Sequence, residues 1–355
     1  MSETRSSNFE CLRILAIILI LIMHSYAQAN CKENLFNLFV GYVISAIGNI
    51  GVSCFVLLSG YFGVKFKMQR FIQLILITTF YTVISFIANH GWLFNISFFD
   101  SLIVVLRYKN WFIACYLILM LLSPFINKAM LALSKMEYNR LLIILFVTFS
   151  VLPTLFVSYY YTILTDGGKC LTYILFLYII GRYLSLFYSE KKISKSLCLL
   201  SFLSLTILIV MLNVTISYVF HKECRIFSMD CSPLVLFSSL CVFFFFKGLA
   251  LKSRLVNSIA ASVLAVYLLD NLRLYVSDHI FDITLYAESN FFLLYLMVFV
   301  IVVFVLGIVI DKIRVFVCGK CENYIIKKSH KTLALFIYSV FLCPHQFNLR
   351  RLFEL

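Results

Sequence analysis

Long apolar runs recur along the sequence and limit what the chain can fold into. A helix that crosses the hydrocarbon core of a bilayer needs about 20 mostly apolar residues. Runs of this kind lie at residues 10–28, 38–60, 71–89, 111–127, 141–163, 170–188, 196–218, 232–250, 255–271 and 291–311. They predict an all-α fold, a polytopic membrane helix bundle with about ten transmembrane helices. The stretch 95–106 is interpreted as a re-entrant or interfacial helix.

The low share of charged residues supports a membrane location. Only 13% of the 355 residues are charged and 63% are hydrophobic, whereas soluble domains carry about 25% charged residues. So few charges cannot cover a water-soluble globule of this size. A net charge of +14 would suggest nucleic acid as the partner of a soluble protein. For this chain we expect contact with membrane lipids and no nucleic acid.

The lysines and arginines predict how the bundle is oriented. With the N-terminus in the cytoplasm, 23 of them fall on the inner side and 7 on the outer side, as the positive-inside rule requires. This distribution predicts a multi-pass protein of the inner (cytoplasmic) membrane with both termini in the cytoplasm. We divide it into a transmembrane domain over 1–315 and a cytoplasmic C-terminal tail over 316–355, which includes the short apolar run 333–343.

The first run also has the order of a secretory signal peptide. Arg5 and Arg13 come before and at the start of the apolar stretch 14–23, and small residues follow at 27–29, where a cleavable signal would have its cleavage site. The runs that follow are membrane spans in their own right. We therefore interpret the first run as a retained helix.

The cysteines give no sign of a metal centre. The chain has twelve of them, scattered through apolar runs where cysteine behaves as a small hydrophobe. Only Cys318 and Cys321 form a C-x-x-C pair, and a zinc site needs about four ligands. We predict no bound metal.

Arg13 and His24 are ionisable residues in the first run. Their spacing of 11 residues places them on one helix face, about 16 Å apart along the axis. An arginine near the membrane surface can bind an anionic group, and a buried neutral imidazole can accept a proton. Alternatively, Arg13 extends to the lipid headgroups and His24 is a core histidine with a hydrogen bond. Glu10, one turn earlier, can pair with Arg13.

Two further polar clusters are candidates for a site. Lys65, Lys67 and Arg70 follow the second run and could clamp a phosphate, or could be ordinary cytoplasmic charges. Asp270, Asn271 and Arg273 end the ninth run. They could meet a substrate from the outer face, or could be a solvated helix end.

Five segments in order resemble the integral-membrane acyltransferase-3 family, bacterial enzymes that O-acetylate surface polysaccharides and related molecules. The first contains Arg13 and, eleven residues later, His24-Ser25. Together the segments cover residues 8–25, 55–62, 111–127, 178–183 and 266–269. The resemblance also favours a retained first helix, because cleavage after Ala29 would remove His24.

The resemblance implies a ten-helix acyltransferase that uses acetyl-CoA as a co-substrate, with no permanently bound cofactor. The acceptor would be a hydroxyl of a glycan or glycolipid. The family's catalytic arginine and histidine correspond to Arg13 and His24. Its Arg-x-x-Arg motif corresponds only partly, to Lys67 and Arg70, which would bind the phosphates of CoA. A histidine of a late family helix corresponds to Asp270.

The expected mechanism follows from these assignments. His24 would act as the general base on the acceptor hydroxyl, or as a nucleophile that carries the acetyl group. Asp270 and Asn271 remain candidates for the acceptor side. Two other classes stay open at this point: a polysaccharide or lipid transporter (flippase) without acyl transfer, and a non-catalytic membrane sensor or assembly protein.

Overall fold

A computed structural model describes residues 6–90, 111–156, 165–190 and 193–337 of the protein. Over these residues the chain forms helices and no strand, which confirms the all-α prediction. The stretch 95–106, expected to be re-entrant or interfacial, lies outside the described residues. Most of the run 333–343 does as well.

Short segments interrupt or join the main helices. A π-helical turn lies at Val147–Val151, and 3-10 helices lie at Asp166–Gly168, Ile226–Ser228 and Ile283–Tyr286. The α-helices are α1 (Ser7–Ala29), α2 (Leu35–Gly48), α3 (Ile50–Phe62), α4 (Met68–His90), α5 (Trp111–Ala132), α6 (Lys135–Phe146), α7 (Leu152–Leu155), α8 (Leu171–Tyr188), α9 (Lys195–Phe220), α10 (Pro233–Lys247), α11 (Arg254–Ala260), α12 (Val263–Leu268), α13 (Leu272–His279) and α14 (Phe292–Ile337).

Nine stretches of the described chain are long and apolar enough to cross a bilayer. The count becomes ten when the bent pair Arg254–Leu268 and Leu272–His279 is taken as one span, which confirms the prediction of about ten helices. The predicted run 255–271 ends where the chain bends by 80° after α12, and α13 continues beyond the bend. Asp270 and Asn271 lie at the bend, where such side chains compete with the helix for backbone hydrogen bonds.

α14 is longer than the apolar run that predicts it. It has 46 residues and is about 69 Å long, whereas the hydrocarbon core is about 30 Å thick. The predicted division between a domain over 1–315 and a tail over 316–355 therefore falls inside a continuous helix. The cytoplasmic position of both termini stays a prediction.

α1 stands at the centre of the bundle. It packs against α2, α3, α10, α11, α12 and α14, and Leu12 and Ile17 are completely buried. Asn30 ends the helix in the left-handed conformation, with φ 57° and ψ 49°, which asparagine adopts more readily than most residues. Arg13 and His24 are therefore carried into the interior of the bundle by its central helix.

A buried polar network joins α4 to α14. The Tyr81 hydroxyl donates to Asp311 Oδ1 over 2.6 Å, and Arg314 Nε donates to the Tyr81 oxygen over 2.9 Å. Arg314 also donates to Asp311 over 2.9 Å and to Glu322. Buried charges persist only when they are paired in this way. The network holds the middle of α4 against α14.

Glu288 ties the loop after α1 to the start of α14. Its carboxylate accepts hydrogen bonds from the backbone N–H groups of Lys32, Glu33 and Asn34 at 2.7, 3.2 and 2.6 Å. These bonds hold the pKa of Glu288 below its usual range, because they favour the charged form. The clamp fixes the end of α1 that carries His24.

α3 and α8 cross closely at two glycines. A Cβ on Gly60 would lie 2.3 Å from the Tyr178 carbonyl oxygen, and a Cβ on Gly181 would lie 2.4 Å from the Leu57 carbonyl oxygen. Both obstacles are backbone atoms, so a larger residue can fit only if the helices move apart. Small residues at such crossings let helix backbones approach within a membrane.

Gly181→Ala should separate α3 from α8 and destabilise the protein by about 1–3 kcal/mol, the usual cost of overpacking. Thermal unfolding of the purified protein in detergent measures this change. Gly319→Ala is the matched control, because the nearest atom to a Cβ there is Val315 Cγ1 at 3.9 Å. Equal unfolding temperatures for the two variants would contradict the importance of the crossing.

Glu288→Gln should lower the unfolding temperature near neutral pH, and its difference from the wild type should shrink steadily as the pH falls below about 4.3, the ordinary pKa of glutamate. A carboxylate whose pKa is lower in the folded state stabilises the fold above its unfolded pKa. That contribution is lost as the pH falls through the folded value. Unfolding temperatures between about pH 3 and pH 8 check this, with Glu33→Gln in the loop after α1 as the control. A difference that stays constant over this range would refute the prediction.

Candidate active site

His24 and Asp270 meet between α1 and the bend after α12. They are 246 residues apart in the chain, and His24 Nδ1 lies 3.0 Å from Asp270 Oδ1. Because a carboxylate accepts hydrogen bonds, the neutral imidazole carries its proton on Nδ1, and Nε2 keeps a free lone pair. The His24 side chain is 36% exposed, so a substrate can reach the ring. The pair has the arrangement of a general base and the carboxylate that orients it.

Arg273 and Gln28 extend this pair into a hydrogen-bonded chain. Arg273 Nε donates to Asp270 Oδ2 over 3.3 Å, and Arg273 Nη1 donates to Gln28 Oε1 over 2.7 Å. Gln28 lies one turn after His24 on α1. Both carboxylate oxygens of Asp270 are therefore engaged, and its orientation towards His24 is fixed from α1 and from α13.

A cavity of about 250 Å³ lies beside α1, and we name it the Arg13 cavity. Ile20, one turn before His24, and Tyr267, three residues before Asp270, bring one end of it close to the His24–Asp270 pair. Apart from Arg13, Ser59 and two tyrosines, its lining is apolar. The lining residues are Arg13, Ile20, Val52, Phe55, Ser59, Leu74, Phe112, Ile113, Tyr116, Ala260, Ala261, Val263, Leu264 and Tyr267.

Arg13 is held at the other end of this cavity by Glu10. Arg13 Nη1 donates to Glu10 Oε1 over 2.7 Å, which confirms the predicted pairing. Glu10 is 5% exposed, whereas the Arg13 side chain is 34% exposed. A guanidinium has several donors, and this contact uses one nitrogen. Arg13 can therefore also bind a polar or anionic part of a ligand.

Lys67 and Arg70 are exposed at the start of α4 and are not among the residues that line the Arg13 cavity. Leu74 does line it, and Arg70 lies one turn before Leu74 on the same helix face. The two cations therefore lie beyond the cavity wall rather than within it.

A second cavity, of about 400 Å³, lies on another side of α1 near His24, and we name it the Asp230 cavity. Met23 and Ala27, which flank His24 on α1, line it together with residues of α2 and of two loops. Its charged lining residues are Asp166, Lys169, Glu223, Arg225 and Asp230.

Hydropathy does not single out this second cavity. Asp230 precedes the predicted run 232–250 by two residues, and Asp166 and Glu223 lie in short connections. Each therefore has the pattern of a solvated loop charge. The sequence does contain one indication of a charged site. Lys169 and Arg225, two of the seven cations predicted on the outer side, follow closely after Asp166 and Glu223.

The structure brings some of the predicted site residues together and leaves others apart. Asp270, expected at the acceptor side, contacts His24 directly. Asn271 precedes α13, makes no capping side-chain bond, and is not among the residues that line the two cavities. A role of either residue towards an acceptor stays a prediction.

A known protein family matches a region of the chain that includes both the central helix α1 and the bend after α12. The model of the acyltransferase-3 family, described as an acyltransferase domain, matches residues 6–312. Neither a curated protein nor a solved structure gives a significant match. The family match spans most of the chain and includes both His24 and Asp270. The chain therefore belongs to the acyltransferase-3 family of membrane acyltransferases.

Proposed function

We propose that this membrane acyltransferase moves an acetyl group from acetyl-CoA to a hydroxyl of a cell-surface polysaccharide or of its lipid-linked precursor. Family membership gives the reaction class. The observation that carries the proposal is the His24–Asp270 pair, which has the mainly apolar Arg13 cavity on one side and the charged Asp230 cavity on another. Acetyl-CoA serves as a co-substrate, with no permanently bound cofactor.

His24 acts as the general base in this proposal. Its Nε2 accepts the proton of the acceptor hydroxyl while that oxygen attacks the thioester carbonyl carbon. The C–S bond then breaks, and the leaving sulfur takes the proton from the imidazolium, which gives an acetyl ester and free CoA. Asp270 stabilises the transient charge on His24 and holds its ring. A positioned base contributes about 10²–10⁴ in rate.

The same geometry permits a route through an acetyl-histidine. In that route Nε2 attacks the thioester carbonyl carbon first and CoA leaves as the thiolate. The acceptor hydroxyl oxygen then takes the acetyl group from the ring, and its proton goes to the thiolate. Asp270 holds Nδ1 in both routes. They differ in whether labelled acetyl stays on the protein when no acceptor is present.

The Arg13 cavity suits the donor. Arg13 and His24 lie on one face of α1, about 16 Å apart along the axis. A long ligand can therefore place a polar part at Arg13 and its reactive end at His24. The apolar lining between them suits the pantetheine arm of CoA, and the phosphates would remain at the mouth with Lys67 and Arg70.

An electrostatic reason favours a phosphate beside Lys67 and Arg70. They lie at the N-terminal end of α4, and the first turn of this helix contains no acidic residue. A helix N-terminus carries about half a positive charge, which repels cations. A bound phosphate would interact favourably with both side chains and with the free N–H groups of the helix. Arg70 can make a forked contact, whereas Lys67 supplies a point charge.

The predicted orientation agrees with this use of the two cavities. With both termini in the cytoplasm, the Arg13 end faces the side where acetyl-CoA is available, and His24 lies nearer the outer face. The protein would then work in the inner membrane. Transport of a polysaccharide or lipid without acyl transfer would not use the spacing of Arg13 and His24, and family membership favours acyl transfer.

His24→Ala should reduce acetyl transfer by about 10²–10⁴-fold. Asp270→Asn should reduce it by about 10²-fold or more, because an amide can donate to Nδ1 and leave the imidazole in the wrong tautomer. The assay supplies membranes with labelled acetyl-CoA and measures label in extracted glycan and glycolipid at matched protein levels. His279→Ala is the matched control, since that ring is exposed and stacks on Tyr275.

Two other outcomes of this assay have a clear meaning. Equal label from the wild type and His24→Ala would show that the protein transfers acetyl groups but that His24 does not take part in the reaction. A lack of label in wild-type membranes that contain folded protein and native glycans would favour transport over acyl transfer.

The double variant Lys67→Gln, Arg70→Gln should raise the KM for acetyl-CoA by about 10-fold or more with little change in kcat, because it removes charged hydrogen bonds to the part of the donor that does not react. Kinetics with varied acetyl-CoA check this. Lys320→Gln, at an exposed position on α14, is the control. An unchanged KM, or a fall in kcat alone, would show that Lys67 and Arg70 do not bind the donor.

A further inference from the structure

Segments that are far apart in the sequence build the Asp230 cavity. The end of α1 contributes Met23 and Ala27, α2 contributes Ser45, and the 3-10 turn near 166–168 and the segment 223–230 complete the wall. The volume of about 400 Å³ lies within the range of small-molecule sites, about 300–1,000 Å³. The cavity is therefore large enough for a ligand of the size of a sugar unit.

Asp230 brings to this wall a carboxyl group that has no hydrogen-bond partner among the described residues. The residue is 5% exposed. Among the described residues its carboxylate accepts no hydrogen bond and forms no ion pair, and its only hydrogen bond from a side chain is to its carbonyl oxygen. A buried carboxylate without donors is unfavourable. The cavity therefore favours a ligand that supplies hydrogen-bond donors to Asp230.

The backbone around Asp230 is fixed, so its carboxylate keeps its direction. The Tyr173 hydroxyl donates to the Asp230 carbonyl oxygen over 2.7 Å, and the Cys231 N–H donates to the Gly167 carbonyl oxygen over 3.2 Å. Gly168 has a φ of 101°, and a Cβ there would lie 2.6 Å from Asp230 Cβ. This close approach and this φ both require glycine.

Arg225 is a firmly held cation of the same cavity. Its Nη1 donates to Ser45 Oγ over 2.6 Å, and its Cζ lies 5.6 and 5.4 Å from the ring centres of Tyr26 and Tyr42. Glu223 forms an ion pair with it. Because Arg225 already has an anionic partner and two aromatic faces, it is poorly placed to receive an anionic ligand.

The charges of the wall disfavour an acidic ligand. Asp166, Glu223 and Asp230 are acidic and Lys169 and Arg225 are basic, so the wall has no excess of positive charge. A sugar carboxylate would therefore find no unpaired cationic cluster to bind it. Neutral hydroxyl groups can instead donate to the carboxylates.

The cavity lies beside the candidate base, although His24 is not itself among its lining residues. Met23 and Ala27 flank His24 on α1, and the Asp230 carboxylate is within electrostatic range of both His24 and Lys169. A sugar that is held by Asp230 through some of its hydroxyls can therefore turn another hydroxyl towards His24.

We propose that the Asp230 cavity binds an uncharged sugar unit of the acceptor and that Asp230 accepts hydrogen bonds from its hydroxyl groups. Another hydroxyl of the same sugar then reaches His24. The role of this site in catalysis rests on the proposed acetyl transfer. Binding of the sugar can be measured whether or not the protein transfers acetyl groups. The proposal gives the acceptor a cavity separate from the one lined by Arg13.

Thermal stabilisation of the purified full-length protein by added sugars tests binding without catalysis. Methyl glucoside and methyl galactoside are the uncharged probes, and methyl glucuronide is the anionic one. We expect the uncharged probes to raise the unfolding temperature of both wild type and His24→Ala. Asp230→Asn should weaken their binding by about 10-fold or more. Asp278→Asn makes the same change at an exposed position and is the control.

Ala27→Phe tests the cavity without a change in charge. Ala27 is exposed and lines the cavity next to His24, so a phenyl ring there should occupy the space of the sugar. We expect the sugars to lose their stabilising effect while the unliganded variant unfolds at the wild-type temperature. If Asp230→Asn fails to fold, this variant carries the test.

The remaining outcomes each overturn one statement. Stabilisation by methyl glucuronide alone would contradict the statement that the sugar is uncharged. If neither uncharged probe stabilises the protein, the proposed sugar site is wrong. Acetyl transfer that is unchanged by Asp230→Asn and Ala27→Phe would overturn the acceptor site while acyl transfer stands. Stabilisation that depends on Asp230, without any acetyl transfer by wild-type membranes, would instead contradict the proposed function and leave the sugar site standing.

Discussion

The lack of water in the bilayer core decides where this chain can be irregular. Backbone N–H and C=O groups there must be satisfied within the protein, so non-helical backbone is tolerated where it is buried or lines a cavity. Two interruptions of predicted runs follow this rule. Asn49, between α2 and α3, lines the Asp230 cavity and donates to the Ser228 carbonyl oxygen. The bend after α12 places Asp270 against His24. Polar chemistry is thus concentrated where the helices break.

The rigidity of α1 sets the geometry between the candidate donor and base positions. Near its start, Asn8 Nδ2 donates to the Phe246 carbonyl oxygen over 3.0 Å. Beyond its end, Asn37 Nδ2 donates to the Ala287 carbonyl oxygen over 2.8 Å, beside the Glu288 clamp. Since a helix rises by about 1.5 Å per residue, α1 by itself fixes the axial distance from Arg13 to His24. The partners that orient these two side chains differ in origin: Glu10 is on the same helix, whereas Asp270 lies at a bend far away in the sequence.

Local features of the structure could be predicted from the sequence, and long-range contacts could not. Apolar length predicts the spans, and one-turn spacing predicts the Glu10–Arg13 ion pair, because both depend on neighbours along the chain. The His24–Asp270 contact joins residues 246 apart. Hydropathy ends the ninth run near Asp270, but it predicts neither the 80° bend nor the partner of that carboxylate. The Asp230 cavity is built from residues between 23 and 230, so no single window reveals it. Such contacts depend on how the helices pack.

The exposure of His24 bears on how acyl transfer can compete with hydrolysis. The side chains of the protein leave 36% of His24 exposed, so they do not enclose it by themselves. A thioester at the end of the Arg13 cavity would then be open to any water that enters as well as to a sugar hydroxyl. Enzymes suppress this side reaction when substrate binding expels water. A sugar in the Asp230 cavity would cover the side of His24 that Met23 and Ala27 border. The acceptor itself would thereby complete the dry site in which its hydroxyl reacts.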